Sequence, residues 1–261
     1  MNTKIINLSS MGQSADGYIH LFDSNVIYLI DKASSIVIDG GKSVKITDIL
    51  TNEKIDITIE DGAYVEYNII NSFNTSRNFS NKGTLLIDEV SLDKTTEELN
   101  AYLLNEAASI KYNVLSFAKE INQSFKQNVV HNAKYTESDI SNYGIALKSN
   151  ILFDVVGKIE KGMAKSNCHQ LSHGVIMDDD SKIQADPILL IDEYDCFANH
   201  GAAIGKMSDN DLFYLMSRGL SKQEALLLII GGIVRPFIDR IIIDEYKEVI
   251  NNKIEKLIEE A

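Results

Sequence analysis

The chain has 261 residues, 44% of them hydrophobic, and a formal net charge of −13. This acidity disfavours nucleic acid and anionic membrane partners, because both are bound through clusters of Lys and Arg. Two cysteines are too few for a disulfide framework, and the sequence shows neither a secretory signal nor an apolar run of membrane-spanning length. We therefore expect a cytoplasmic protein that has no nucleic acid or membrane partner.

Short apolar runs rich in Ile, Val and Tyr occupy the chain from Val26 to about Val90, and a similar texture returns from Val129 to Ile191. Asp-Gly, Gly-Gly and Lys-Gly pairs interrupt the runs, which is typical of β-strands. The segment 55–69 alternates around its Asp-Gly pair and, taken alone, fits a β-hairpin. This pattern predicts a β-rich body but does not distinguish a β-helix from a β-sandwich.

One segment inside this body has a local preference for helix over strand. Residues 95–111, TTEELNAYLLNEAASIK, are good helix formers, and we expect a short helix at 95–103.

The last quarter of the chain carries helix start and stop signals. Ser208 is placed as the N-cap of a helix, and Asp211, three residues later, can complete a capping-box-like pair with it. Gly219 is placed to end that helix. Ser221 and Glu224 form a capping box in front of a second apolar run. The sequence therefore predicts at least two helices after Ser208.

A glycine pair and a proline interrupt the second of these helices. Gly231, Gly232 and Pro236 fall inside the apolar run, and a proline within a helix removes a hydrogen bond at a cost of about 3 kcal/mol. We expect a kink or break near 232–236 and a new helix from Pro236 to the end of the chain.

Side chains that ligate soft metals occur in two segments of the β-rich body. The first segment contains Cys168 and His173, and the second contains Cys196 and His200. Cys and His are suited to iron, zinc and iron–sulfur clusters. The alternative is structural, because Cys is often a small buried apolar residue and a His in a turn can simply satisfy backbone groups.

The order of motifs in the second half of the chain resembles the SufB/SufD family, the scaffold subunits of the SUF system for iron–sulfur cluster assembly. The strongest part is a His-Gly-Ala turn at 200–202, LFYL at 212–215 and SRG at 217–219. Upstream matches are His131, Ser138, Asp139, Gly144, Gly157, Lys158, Ile159, Gly162, Ala164, Lys165, Gln170 and Pro187. The resemblance covers residues 104–261, and the first hundred residues match only in their strand-rich pattern of short apolar runs.

The resemblance implies a mainly β fold, with a right-handed parallel β-helix body and a C-terminal helical domain. We place the β-helix at 1–205, with its N-terminal part shortened, and a helical ATPase-docking domain at 206–261. The resemblance also implies a strand, a turn and a strand over 104–117.

The resemblance further implies a scaffold subunit rather than an enzyme. Its expected partners are a SufC-like ABC ATPase and a second subunit, either another copy of this chain or a SufB-like chain, that joins through residues 168–200. The residues expected to dock the ATPase are Asp211, Phe213, Tyr214, Arg218, Gly219 and Ser221. Arg218 and Gly219 have an alternative, purely structural role at the helix end. The sequence has no phosphate-binding P-loop, so we expect no nucleotide on this chain.

The cofactor implied by the resemblance is a transient iron–sulfur cluster at the dimer interface. His200 matches the family's interface histidine, and Cys168, Cys196 and His173 are the other candidate ligands. SufB-type chains have Glu after this histidine and a Cys two residues after the strand-opening Gln, where this chain has Gly201 and Ser172. The chain therefore looks more like SufD, or like a short homologue that serves as a homodimer.

Two other functions remain open at this stage. One is a non-catalytic β-helix interaction module without a cluster role. The other is a β-helix carbohydrate-active enzyme whose acidic clusters hold calcium, against which stands the absence of Trp for stacking sugars. Iron content after anaerobic reconstitution separates a cluster scaffold from both.

Overall fold

Two parallel β-sheets wind into one right-handed β-helix, which confirms the predicted fold class. The structure is a computed structural model that describes residues 4–259, so the ends of the two predicted domains, 1–3 and 260–261, lie outside the described residues. Three helices follow the β-helix in the part of the chain described. The division at 205–206 into a β-helix and an ATPase-docking domain stays a prediction.

Strands alternate between the two sheets along the chain, and each pairs in parallel with the strand one coil later. The first sheet contains, in spatial order, β1 (Lys4–Asn7), β3 (Val26–Ile30), β5 (Ser43–Asp48), β7 (Tyr64–Ile70), β9 (Thr84–Ser91), β11 (Ser109–Lys119), β13 (Glu137–Leu147), β15 (Asn167–Ile176) and β17 (Phe197–Lys206). The second sheet contains β2 (Ile19–Leu21), β4 (Ile36–Ile38), β6 (Lys54–Ile59), β8 (Thr75–Asn81), β10 (Thr95–Leu103), β12 (Gln123–His131), β14 (Asn150–Ile159) and β16 (Lys182–Ile191).

The lumen between the two sheets is the main hydrophobic core. Side chains alternate between the lumen and the outside, because successive residues of a strand point to opposite faces of a sheet. In β14 every second residue from Ile151 to Ile159 is buried. In-register stacking of such residues from coil to coil gives a continuous core, which includes Ile46, Ile87 and Val114.

Two local expectations are wrong, and both failed because pairing between coils decides the structure. Residues 95–103 form β10 rather than a short helix, since β8 and β12 pair with it on either side. The alternating segment 55–69 is not a hairpin, because β6 and β7 belong to different sheets and the chain turns a corner at Gly62. Of the strand, turn and strand expected over 104–117, the turn and the second strand, β11, are present, whereas the strand before the turn is β10, which ends at Leu103.

The helices are α1 (Asp209–Ser217), α2 (Lys222–Asp239) and α3 (Asp244–Glu259). The Ser208 hydroxyl accepts the backbone N–H of Asp211, and Ser221 and Glu224 form the complete capping box, so both predicted caps are confirmed. Gly219, with φ of +100°, donates to the Met216 carbonyl and ends α1.

Of the kink or break expected near 232–236, the break is wrong, because α2 continues through Pro236 to Asp239. The next helix, α3, starts at Asp244 and not at Pro236. The buried face of α2 has helical spacing on both sides of the proline, with Ile230 and Val234 before it and Phe237 after it. Packing of this face against the β-helix stabilises both halves, which offsets the hydrogen bond that Pro236 removes.

Helices α2 and α3 pack on the outer face of the first sheet. The outward apolar residues that they cover are Ile70, Val90, Leu92, Leu115, Phe117 and Ile145. Polar contacts fix the junction between the two helices: Arg240 donates to Asp88 over 2.6 Å, and Asn68 accepts the backbone N–H of Ile242. Within residues 4–259, no helix is both long and apolar enough to span a membrane.

Candidate functional site

The β-helix ends at a coil whose two strands have one free edge each. In the described part of the chain, β16 pairs only with β14 and β17 pairs only with β15. Most residues of β17 are exposed, including Phe197 at 75%. Unpaired strand edges can bind another chain, and we call this surface the open end.

His200 lies on this open end, inside strand β17. The sequence pattern predicted a His-Gly turn, and this is wrong because residues 197–206 pair along their whole length with β15. His200 stacks directly on Gln170 of the preceding coil, and its side chain is exposed. The imidazole is therefore accessible to a ligand or a partner at the edge of the lumen.

Cys168 lies one coil below the open end and is covered by it. It is 1% exposed, its register partner is Ala198, and burial raises the pKa of its thiol. A hydrogen bond with Ser138 lowers the pKa of the same thiol, against the larger effect of burial. The side chain points into the lumen on the same face as Ser172, as strand alternation predicted. Cys168 is thus a protonated, enclosed thiol in the isolated chain.

Cys196 lies in the turn that leads into β17, at the rim of the open end. Its thiol donates to the carbonyl of Glu193 over 3.2 Å. Burial raises the pKa of this thiol, and the carboxylates of Glu193 and Asp195 raise it further. Because β17 pairs in register with β15 from its first residue, Cys196 lies on the coil next to Cys168.

His173 does not lie with the other three candidates. Its ring stacks on Tyr143 with centroids 4.9 Å apart, and Tyr143 in turn contacts Phe237 of α2 at 5.4 Å. These side chains are on the outer face of the first sheet, opposite to the lumen. The structure therefore brings His200, Cys168 and Cys196 to one end of the β-helix and separates His173 from them.

The candidates do not form a complete metal site within one chain. Among residues 4–259, no group of three or more His, Cys, Asp and Glu side chains is arranged to hold a metal ion. Structural sites for iron and zinc use four protein ligands in most cases. His200, Cys168 and Cys196 fall short of that number.

Sequence reasoning missed the polar network beneath this end. His131 is fully buried, and its ring nitrogens lie 2.7 Å from Thr136 Oγ1 and 2.9 Å from Ser138 Oγ. Burial lowers the pKa of His131 to about 4, so the ring is neutral at physiological pH. The sequence signal was present, since His131 and Ser138 match the family pattern, but their partners become visible only with the register of the coils.

The residues predicted to dock an ATPase form a second exposed surface, on α1 and the turn that follows it. This helix buries none of its residues, and Phe213 and Tyr214 are 73% and 56% exposed. The Arg218 guanidinium lies 5.0 Å from the centre of the Tyr214 ring, which is a cation–π distance. Asp211 is exposed at the start of the helix, and Gly219 and Ser221 form the turn into α2.

A family model described as "SUF system FeS cluster assembly, SufBD core domain" matches residues 11–233. The chain is 35% identical to the iron–sulfur cluster assembly protein SufD of Bacillus subtilis over 140 residues, which are 53% of this chain and 32% of that protein. It is 29% identical over 250 residues to a SufBD family protein of Staphylococcus aureus, covering 89% of this chain and 51% of the relative. The chain thus spans about half or less of these relatives. It belongs to the SufBD core family of the SUF iron–sulfur cluster assembly system.

Proposed function

We propose that the chain is a non-enzymatic, SufD-like scaffold subunit that acts in the cytoplasm. It docks a SufC-like ABC ATPase through α1 and pairs with a second subunit at the open end of the β-helix, where a cluster is assembled as cargo. The observation that carries the proposal is the exposed aromatic face of α1, at residues that match the family pattern. The two surfaces lie on different elements, β17 and α1.

The docking surface divides into contact residues and shaping residues. Phe213, Tyr214 and Arg218 expose the kind of side chains that dominate binding energy at protein interfaces. Asp211 adds a negative charge beside them. Gly219 and Ser221 act through the turn, since the glycine ends α1 with a positive φ and the serine caps α2.

Co-purification with a SufC-like ABC ATPase tests this assignment. Phe213→Ala and Tyr214→Ala should each weaken capture at least tenfold, because both remove a large exposed aromatic contact. Val249→Ala is the matched control, since Val249 is 61% exposed on α3 and away from α1. Full capture by the Phe213→Ala, Tyr214→Ala double variant would contradict the docking role of α1.

Point variants test the docking role of α1 more specifically than a deletion of the helices does. Removing residues 206–261 would uncover the apolar outer face of the first sheet, including Leu115 and Phe117, and would compromise the β-helix itself.

The pairing proposal concerns residues 168–200 and the two free strand edges. A second copy of this chain or a SufB-like subunit would continue both sheets and bring the ligands that one chain lacks. Light scattering at high micromolar concentration, with and without a SufB-like chain, measures this association. A chain that stays monomeric under both conditions would contradict the pairing.

The cluster role is tested by iron retention in the assembled complex. After anaerobic reconstitution with Fe²⁺ and sulfide, His200→Ala should retain less iron while folding and ATPase capture stay intact. Cys168→Ala and Cys196→Ala test whether these thiolates complete the site, and Ser172→Ala should do little. His173→Ala is the histidine control, because its ring lies on the opposite face. Normal iron loading of the His200→Ala complex would favour an interaction module without a cluster role.

A further inference from the structure

One side chain directly beneath the open end has an unused hydrogen-bonding group. Gln170 is 2% exposed, and its Nε2 donates to the backbone carbonyl of Ile188 over 3.4 Å. Its Oε1 has no hydrogen-bond partner among the described residues. Buried polar atoms in folded proteins are nearly always paired, so an orphaned amide oxygen at this position calls for a partner.

The packing of the lumen fixes the direction of this amide. A Cβ atom at Gly157 would lie 2.4 Å from the Cys168 sulfur and 2.8 Å from Gln170 Nε2. Both side chains therefore cross the lumen and end over the glycine. The amide nitrogen must be the end that faces Ile188, since two carbonyl oxygens would repel one another. Oε1 consequently points away from Ile188, and it is closed off from solvent.

The coil above Gln170 offers one side-chain donor that is close to it. The positions of β17 and β16 that face the lumen are Ala198, His200, Ala202, Ile204, Lys206, Ile183, Ala185, Pro187, Leu189 and Ile191. Of these described residues only His200 and Lys206 carry an N–H on the side chain, and Lys206 lies six residues further along β17, where it donates to Asp179. In each of these edge strands, alternate backbone N–H groups pair with the coil below, and the others point to the free edge, away from Gln170.

His200 is also the register partner of Gln170. The two residues leave neighbouring parallel strands at the same position and on the same face, with strands about 4.8 Å apart. His200 is exposed, so its ring is free to rotate about its side-chain torsions without any backbone movement. We expect a hydrogen bond between the two to form when the His200 ring turns towards the lumen.

We propose that Gln170 is the positioning residue of His200. Its Oε1 accepts a hydrogen bond from one ring nitrogen of His200, which fixes the neutral tautomer and the ring orientation. The other nitrogen then presents a free lone pair at the open end. This inference rests on the proposed function, in which His200 binds iron or a cluster, and it follows the rule that histidine ligands are held by an acceptor on their second nitrogen.

The tautomer of His200 can be read by NMR in the purified full chain without metal or partner. Long-range ¹H–¹⁵N correlations distinguish the two neutral forms, and His200→Ala assigns the signal. The wild-type chain should show one dominant tautomer. Gln170→Leu should convert it to a mixture, and Gln170→Glu, which keeps an acceptor, should restore a single form. The His131 signal is the internal control, because both of its ring nitrogens have hydrogen-bond partners in the lumen.

The result that overturns the pairing is a mixture of tautomers in the wild-type chain, or a His200 signal unchanged by Gln170→Leu. The effect of this hydrogen bond on iron binding is tested in the reconstituted complex, where Gln170→Leu should weaken Fe²⁺ binding about 10- to 100-fold. Unchanged Fe²⁺ binding there would overturn the positioning role. A Gln170-dependent tautomer combined with normal iron retention by the His200→Ala complex would support the pairing and overturn the proposed ligand function.

Discussion

Arg77 donates through Nη1 to the Glu97 carboxylate over 2.8 Å, with both side chains inside the lumen and 1% exposed. The same guanidinium donates through Nε to Asp48 over 2.8 Å. Ser72 and Thr75 accept further hydrogen bonds from Nη1. One buried cation thus links carboxylates from β5 and β10 to its own strand β8, across the two sheets.

Replacing Arg77 with methionine should strongly destabilise the β-helix. The substitution leaves Asp48 and Glu97 buried without a counter-charge, and breaking a buried ion pair in this way costs about 3–5 kcal/mol. Urea unfolding measures the free energy of unfolding. The control is Lys45→Met, which breaks the exposed pair of Lys45 with Glu66 and should cost no more than about 1 kcal/mol. Equal small losses in the two variants would contradict a structural role for the buried pair.

The same network explains where sequence reasoning about the fold succeeded and failed. Helix caps depend on residues three positions apart, and the Ser208 and Ser221 caps were predictable for that reason. Residues 95–103 were expected to form a helix because they are good helix formers, whereas Glu97 binds Arg77, which lies 20 residues earlier, in the preceding coil. Local propensity carries no information about such a contact between coils.

The candidate site shows the same limit. His200 was found from a motif, and its location at the end of the β-rich body was predicted. The separation of His173, the cover over Cys168 and the orphaned oxygen of Gln170 depend on which residues stack from coil to coil. A shift of one residue in register would exchange the lumen and outer faces, so these relationships need the register itself.

Glu89 should make the chain less stable as the pH rises. Burial raises the pKa of Glu89 well above its usual value of 4.5, and the nearby Glu97 carboxylate raises it further. The folded chain therefore keeps a proton that the unfolded chain releases above pH 4.5. The free energy of unfolding should fall by about 1.4 kcal/mol per pH unit between pH 4.5 and the pKa of the folded chain.

Urea unfolding of wild type and Glu89→Gln from pH 5 to pH 8 measures this contribution. The glutamine mimics the protonated carboxyl and can still accept from Tyr112, so the variant should gain stability relative to wild type as the pH increases. His131 titrates in the opposite sense, but it is present in both proteins and cancels in the difference. A difference that does not change with pH would show that Glu89 is ionised in the folded chain.

The two cysteines should differ sharply in alkylation. Cys168 is 1% exposed with a pKa raised by burial, and Cys196 is partly exposed at the rim of the open end. Iodoacetamide at pH 8 should modify one thiol of the native chain, with the second reacting only after unfolding, because attack requires an accessible thiolate. Intact mass measures the number modified, and Cys196→Ser should leave the native chain unmodified. Equal rates for both thiols would place Cys168 in contact with solvent.

Gly157→Ala should disturb the layer that holds Cys168 and Gln170. The added methyl group would lie 2.4 Å from the Cys168 sulfur, so the thiol must move, and overpacking of this kind costs about 1–3 kcal/mol. Gly205→Ala is the control, because no atom lies within 4 Å of the added carbon. Adding Cys168→Ala to Gly157→Ala should recover part of the lost stability in urea unfolding, since it removes the clashing sulfur. Equal stability of Gly157→Ala and Gly205→Ala would contradict the tight packing of the lumen around Gly157.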